Sequence, residues 1–125
     1  MTTGLILFAH GARDPRWAAP FEAVLQRVQQ LQPSLQARLA YLELMEPSLP
    51  AAAQALVEAG CRHISIQPLF LGTGGHLRRD LPLLMDDIQQ RHPDIRWSLQ
   101  PAIGEQPAVM EAMAQVCADS ASHAL

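Results

Sequence analysis

The chain has 125 residues, of which 49% are hydrophobic and 17% charged, and its formal net charge is −3. These proportions exclude collagen-like, disordered and disulfide-scaffold proteins and predict one globular domain over residues 1–125. All nine basic residues are arginine, so Walker-A phosphate binding and Schiff-base chemistry, which both need lysine, are excluded. The net negative charge argues against nucleic acid as a partner.

The cysteines and the N-terminal sequence exclude further classes. Cys61 and Cys117 form no C-x-x-C pair, so neither a structural zinc site nor a disulfide framework is indicated. No basic segment precedes an apolar run at the N-terminus, and no window approaches the ~20 apolar residues that span a bilayer. We therefore expect a cytoplasmic protein without a membrane partner.

In the first half of the chain, strand and helix patterns alternate. Gly4–Ala9 is apolar on both faces, which is typical of a strand inside a parallel sheet. Helical spacing of apolar residues predicts a helix over Arg16–Gln32. Partial alternation predicts a second strand over Leu35–Leu44, and a second helix is expected from Ser48 or Leu49 to Ala59.

The second half of the chain continues the same alternation. A third strand is predicted over Arg62–Gln67, with a frayed or bulged end at Pro68 because proline has no N–H to donate. The helical pattern over His76–Arg91 contains Pro82. Either this helix begins near Asp80 with the proline in its first turn, or it kinks there.

The last two predicted elements are a short strand and an amphipathic helix. Ile95–Gln100 has the pattern of a short fourth strand. A fourth helix is predicted over Gln106–Ser122, with Val109, Met113 and Val116 directed inward.

Four β–α units predict an α/β domain: one doubly wound, three-layer domain with a four-stranded parallel sheet of order 2-1-3-4. In this order strands one and three are neighbours, and ligands bind where the winding reverses between their carboxyl ends. His10 directly follows the first strand, and His76 closes the loop after the third. The topology therefore predicts that both histidines lie at one binding crevice.

The two histidines are the main catalytic candidates, since a neutral imidazole can bind a divalent metal or accept a proton. A single histidine at a strand end is more often structural, but two at the same crevice favour a functional site. Glycines accompany both: Gly11 after the first, and Gly74 and Gly75 before the second. They can adopt backbone angles that other residues avoid and admit a bulky ligand, although the glycine run also fits a plain tight turn.

Charged residues surround the predicted crevice. Glu43 ends the second strand at the same edge and could supply a carboxylate, or could simply be a solvated strand-end charge; Glu46 is the second candidate. Four arginines follow the strands at helix starts, where the positive end of the helix dipole disfavours cations. This placement indicates an anionic ligand, unless Asp14 and Asp80 neutralise the charges. The four are Arg13, Arg16, Arg78 and Arg79.

Three segments resemble the sirohydrochlorin chelatases, which insert cobalt or iron into a tetrapyrrole in cobalamin and sirohaem synthesis. They are LILFAHGARDPR (residues 5–16), YLELMEPSL (residues 41–49) and PLFLGTGGHLRRDLP (residues 68–82). The resemblance implies that His10 and His76 handle the metal and that Glu43 is the family's acidic residue. Ala12 departs from the family, which usually has serine or threonine after His-Gly.

The resemblance implies metal insertion into sirohydrochlorin, with cobalt favoured over iron or nickel. No permanently bound cofactor is expected, because Co²⁺, Fe²⁺ or Ni²⁺ would be a substrate. Arginines at the crevice rim, together with Gly74 and Gly75, could bind the carboxylate-rich ring. Long members of the family contain two such lobes, so a homodimer is expected here, with Leu71, Leu77 and Leu81 contributing to the contact.

Two other functions remain possible on the sequence. A metal or tetrapyrrole carrier would use the same histidines without turnover. A histidine phosphatase also places His-Gly after its first strand, but that chemistry requires an arginine directly before the histidine, and Ala9 occupies that position.

Overall fold

The structure, a computed structural model, describes residues 2–72 and 74–123, apart from the side chain of His76. Its four strands form one parallel sheet of order β2-β1-β3-β4, as the sequence predicts. The strands are β1 (Thr2–Ala9), β2 (Gln36–Tyr41), β3 (Cys61–Pro68) and β4 (Arg96–Leu99). The helices are α1 (Ala19–Leu31), α2 (Leu49–Glu58), α3 (Gly75–Arg91) and α4 (Pro107–Ser122), and short 3-10 helices occupy Pro15–Ala18 and Ile103–Glu105.

The main core lies between one face of the sheet and helices α2 and α3. Ile6 and Phe8 of β1 and Ile64 and Ile66 of β3 are completely buried there. They alternate along their strands with residues that face the other side, so a single sheet presents two different surfaces. On the second face α1 packs against β2 and around a smaller cluster that includes Tyr41.

Several expected boundaries differ from the structure. The helix expected from Arg16 begins instead as the 3-10 helix Pro15–Ala18, which the Asp14 side chain caps by accepting from the Arg16 N–H at 2.9 Å. The second strand ends at Tyr41 rather than Leu44, because the chain turns sharply over residues 42–47.

Pro68 is the last residue of β3 and is paired with Phe8 without a bulge, so the expected bulge is absent. On the β4 side the pairing ends two residues earlier, at Ile66, so the expected fraying is present there. The Leu69 N–H donates to Phe8, and Ile66 accepts from the Gln100 N–H on the opposite side. Since successive residues of a strand face opposite sides, the proline nitrogen points toward β4, where pairing has already ended at Leu99. The missing donor therefore costs no hydrogen bond of the sheet. The register shift lies at Thr2/Thr3.

Helix α3 begins at Gly75 and continues through Pro82, so the expected start near Asp80 is wrong. Its apolar residues Leu77, Leu81, Met85 and Ile88 are buried against the sheet. This burial stabilises the helix enough to offset the hydrogen bond that Pro82 cannot donate to the Arg78 carbonyl.

The expected inward orientation of α4 is also wrong. None of its residues is buried, Val109 is half-buried, and Met113 and Val116 are exposed. Within the described part of the chain, α4 packs mainly against the 3-10 helix Ile103–Glu105 rather than against the sheet.

Candidate active site at the carboxyl edge of the sheet

His10 and Glu43 lie together at the carboxyl ends of two neighbouring strands. The parallel ladder between β1 and β2 extends past both strand ends, with the Leu42 N–H donating to Ala9 and the Glu43 N–H donating to the His10 carbonyl at 3.1 Å. This main-chain contact brings the His10 Nε2 to 3.8 Å from the Glu43 Oε1. The sequence-predicted pairing of these two residues at one edge is therefore present.

Phe70 orients His10 from the other side. The two rings meet edge to face, with centroids 5.8 Å apart and an interplanar angle of 76°. Phe70 is itself buried and makes a similar contact with Phe8 in the core. Phe70 follows β3 whereas His10 follows β1. Their contact therefore places the imidazole between the ends of these two strands, where the winding of the sheet reverses.

Gly11 permits the close approach of the two site loops. Its φ is +97°, and a Cβ at this position would overlap the carbonyl oxygen of Glu43. Both the backbone angle and the lack of space require glycine here. Gly11 therefore allows the Glu43 backbone to lie directly beside His10.

Leu44 adopts a strained backbone conformation next to the acidic residue. Its φ is +66°, unusual for a residue with a side chain, and the residue is 60% exposed. The Met45 N–H donates to the Glu43 carbonyl at 2.8 Å, which closes a three-residue γ-turn around Leu44. Strain of this kind persists where the surroundings over-determine the backbone, and it commonly marks functional sites.

This strain leads to a prediction about substitutions at Leu44. Asn tolerates positive φ whereas a β-branched residue does not, so we expect Leu44→Asn to equal or exceed the wild-type stability and Leu44→Val to lose about 1–3 kcal/mol. Thermal and denaturant unfolding would measure both. If Leu44→Val is more stable than Leu44→Asn, then side-chain hydrophobicity and exposure, rather than the backbone angle, determine the effect of substitutions at this position on stability.

The His10–Glu43 pair can bind a cation or transfer a proton. The two side chains are 50% and 57% exposed, so a ligand can reach both. A divalent ion about 2.1 Å from each atom would span donors up to about 4 Å apart, and the observed separation of 3.8 Å lies within that limit. The same imidazole and carboxylate can instead accept protons from a bound substrate.

Glu46, the second acidic candidate, and two further histidines lie apart from this pair. Glu46 is exposed and forms no hydrogen bond or ion pair with His10 among the described residues. His63 Nε2 lies 3.1 Å from the Ser98 hydroxyl, and the His92 ring lies 6.1 Å from the Trp97 ring at a tilt of 46°, so these two histidines have structural contacts. Among the described residues no group of three or more metal-ligating side chains occurs.

The four candidate arginines are all exposed, and they differ in their partners. Arg16 pairs with Asp14 through its Nη2 at 2.8 Å and its Nε at 3.1 Å. This guanidinium lowers the pKa of the Asp14 carboxyl, and the carboxylate in turn raises the pKa of Arg16. Arg13, Arg78 and Arg79 have no ion pair with any described residue, so they are the better candidates for an anionic ligand.

The glycines of the loop after β3 do not adopt the backbone angles that other residues avoid. Gly72, Gly74 and Gly75 do not have positive φ, so the expected unusual conformation is wrong for them. Space around their Cα atoms is open, since a Cβ added at any of the three would have no heavy atom within 4 Å. His76 lies in the first turn of α3, which begins at the carboxyl edge. Its side chain and Thr73 are outside the described residues.

Sequence reasoning missed Phe70 and the strained Leu44. In the sequence Phe70 is one of several apolar residues that follow the third strand, and no local signal indicates its ring contact with His10. The positive φ of Leu44 has no signal in the residue type, since leucine is among the residues least expected there. Both features depend on contacts between loops that are distant in sequence.

Comparison with known proteins identifies relatives of the chain. The CbiX family model matches residues 4–120. A sirohydrochlorin cobaltochelatase from Methanocaldococcus jannaschii is 30% identical over 70% of this chain and 62% of its own length. A sirohydrochlorin ferrochelatase from Bacillus subtilis is 33% identical over 60% of this chain but 29% of its own length. The match thus spans less than two thirds of either relative.

Solved structures agree with this assignment. A cobalamin (vitamin B12) biosynthesis CbiX protein from Marinobacter aquaeolei VT8 superimposes with a TM-score of 0.85 at 30% identity, covering 98% of this chain and 99% of its own. The sirohydrochlorin chelatase SirB from Bacillus subtilis subspecies spizizenii, in complex with cobalt, gives 0.81 at 28% identity over 95% of this chain and 51% of its own. No helix of the described residues is long and apolar enough to cross a membrane. The extent of the family match shows that the chain belongs to the CbiX family.

Proposed function

We propose that this protein is a sirohydrochlorin chelatase that inserts a divalent metal ion, preferentially Co²⁺, into a carboxylate-rich tetrapyrrole. The main support is the pairing of His10 Nε2 with Glu43 Oε1 at 3.8 Å, at the reversal point of a CbiX-family sheet. The metal is a substrate in this proposal, and no permanently bound cofactor is required.

The reaction must remove two N–H protons from the ring while the ion enters between the vacated nitrogens. His10 and Glu43 can hold the ion at the ring and, as they release it to the ring nitrogens, accept those protons; both are exposed enough to pass the protons on to water. His76 is proposed as the second metal-handling histidine, by its place in the glycine-rich motif. The preference for cobalt is open to test because the relatives are named both as cobaltochelatases and as ferrochelatases.

The substrate would bind with its carboxylates against the arginines. Arg13, Arg78 and Arg79 can form bidentate pairs with peripheral carboxylates. Arg16 is a weaker candidate, since Asp14 already occupies its guanidinium. Gly74 and Gly75 leave open space beside the chain for a planar ring.

A turnover assay tests the proposal. Purified protein is mixed with an excess of sirohydrochlorin and Co²⁺, Fe²⁺ or Ni²⁺, and insertion is followed by the change in ring absorbance. We expect many turnovers per chain, fastest with Co²⁺. A change limited to one equivalent per chain would identify a carrier instead. Phosphatase activity is not expected, because the buried Ala9 holds the place of the arginine which that chemistry needs.

Glu43→Gln is expected to slow insertion less than removal of His10 does. Glutamine keeps the size and one acceptor oxygen of the side chain but loses its negative charge, so metal attraction and proton transfer weaken together. Initial rates across a range of pH would measure the effect. Glu46→Gln is the matched control, a neighbouring acid without contact to His10. A Glu43→Gln rate equal to wild type at every pH would remove this residue from the site.

We also propose that the working form is a homodimer. A tetrapyrrole is wide compared with the edge of one sheet, and burying it needs walls on two sides. SirB supports this idea because its chain is about twice the length matched here. Sedimentation equilibrium at micromolar concentration would measure the mass, and a single-chain species that turns over substrate would contradict the dimer.

A further inference from the structure

Leu44 and Leu71 are exposed leucines in the loops that surround the candidate active site. Leu71 is 75% exposed, which fits its expected role in a contact between two copies of the chain. Leu77 and Leu81 do not fit that role, because both are buried in the core of their own chain, and that part of the expectation is wrong. Leu44 directly follows Glu43, and the expected dimer contact gives it no role.

The loop over residues 42–47 is anchored on both faces of the sheet and leaves Leu44 between its anchors. Leu42 packs against the main core, whereas Met45 packs against the smaller cluster on the opposite face. The chain must therefore cross the carboxyl edge of the sheet between these two residues. Glu43 and Leu44 are the residues that make this crossing, so both lie at the edge where the candidate site is formed.

Leucine is an unfavourable residue at position 44 in the free protein. Its positive φ strains the backbone, and most of its apolar surface faces water. An exposed leucine alone is common on protein surfaces, but a leucine that is also held at positive φ is not. A ligand that covers the side chain would remove its apolar surface from water and so gain affinity. Strain combined with exposure beside the candidate pair therefore indicates a binding role.

The charges around Leu44 determine which part of a tetrapyrrole can cover it. Leu44 lines an open cavity of about 340 Å³ together with Glu43 and Glu46. These two acidic side chains would repel the peripheral carboxylates of the ring, which the candidate arginines attract. The faces of the pyrrole rings carry no charge. The uncharged face of the macrocycle, rather than its carboxylate rim, is therefore the part that fits against Leu44.

We propose that Leu44 is a substrate-binding residue that contacts the uncharged face of the tetrapyrrole while His10 and Glu43 act at its centre. Adjacent Cα atoms are about 3.8 Å apart, so a macrocycle centred at the Glu43 carboxylate extends over Leu44. The contact would contribute to the affinity for the ring and not to the affinity for the metal ion. The inference rests on the proposed function and adds an apolar residue to a site otherwise made of charged and polar groups.

Leu44→Asn tests the inference, since asparagine suits the backbone angle but lacks the apolar surface. When sirohydrochlorin is varied at saturating Co²⁺, we expect its KM to rise about 10-fold. When Co²⁺ is varied at saturating sirohydrochlorin, its KM and the kcat should change little, because Glu43 stays in place. A variant with a raised KM for Co²⁺ and a lowered kcat, but the wild-type KM for sirohydrochlorin, would overturn the inference.

Leu44→Met and Leu31→Asn are the matched controls. Methionine keeps an apolar side chain of similar volume, so Leu44→Met should regain most of the affinity for the ring. Leu31 ends α1 at the amino edge of the sheet and is 63% exposed. Leu31→Asn therefore makes the same chemical change at the same exposure but far from the site, and its KM for sirohydrochlorin should equal that of the wild type. An equal rise of this KM in Leu31→Asn and Leu44→Asn would overturn the inference.

Direct binding separates this inference from the proposed function. Metal-free sirohydrochlorin is titrated with each protein, and the change in ring absorbance gives a Kd without turnover. A Kd about 10-fold higher for Leu44→Asn than for the wild type supports the contact, whether the protein proves to be a chelatase or a carrier. Equal Kd values would overturn the contact and leave metal insertion intact. A wild-type protein that binds no sirohydrochlorin would overturn both.

Discussion

His10→Ala should lower the rate of metal insertion by about 100-fold or more while leaving the fold intact. The imidazole Nε2 lies 3.8 Å from the Glu43 carboxylate, and a positioned acid–base group typically contributes that much to a rate. Half of the side chain is exposed, and its ring makes an edge-to-face contact with Phe70. The loss of stability should therefore be about 1 kcal/mol or less. Steady-state absorbance assays and thermal unfolding measure the two effects separately.

His63→Ala is the matched control for this substitution. His63 is a partly buried histidine of the same sheet whose Nε2 contacts Ser98 rather than the candidate site. Its loss should leave the rate of insertion unchanged. His76→Ala, in the other histidine motif, should resemble His10→Ala. A folded His10→Ala protein with a rate near wild type would remove His10 from the mechanism.

The order of the strands could be predicted from the sequence because each strand has a local signature. The apolar run before His10 and the alternating run around Ile64 and Ile66 specify buried strands, and β–α alternation then restricts the sheet to few topologies. The meeting of His10 and Glu43 follows from that order, since both residues follow adjacent parallel strands within two residues of the strand end. The sequence therefore predicts where the site lies in the fold, although not the distances within it.

The parts that could not be predicted depend on contacts between distant segments. The turn after Tyr41 brings the Glu43 carbonyl against Gly11, and no residue pattern in 41–47 encodes that contact. The position of α4 shows a similar limit. Its apolar spacing predicts a face directed into the core, but the structure leaves that face exposed, because the spacing does not specify where the helix lies relative to the sheet.

Gly11→Ala should impair the candidate site severely. At φ +97° the alanine would add backbone strain of about 1–3 kcal/mol. Its Cβ would also displace the Glu43 carbonyl, and with it the hydrogen bond from the Glu43 N–H to His10. Displacement of catalytic groups by about 1 Å can cost on the order of 100-fold in rate. We expect a loss of that size in kcat together with lower stability in denaturant unfolding.

Gly60→Ala separates the two causes of this loss. Gly60 has nearly the same φ, +94°, but no atom lies within 4 Å of an added Cβ, and it follows α2 away from the candidate site. This variant should lose stability through backbone strain alone and keep the wild-type rate. If Gly11→Ala and Gly60→Ala lose equal stability and have equal rates, the loop around Glu43 moves away from the added methyl group without further loss of stability or activity. A rate loss confined to Gly11→Ala would instead show that the main-chain contact between the loops holds the carboxylate beside the imidazole.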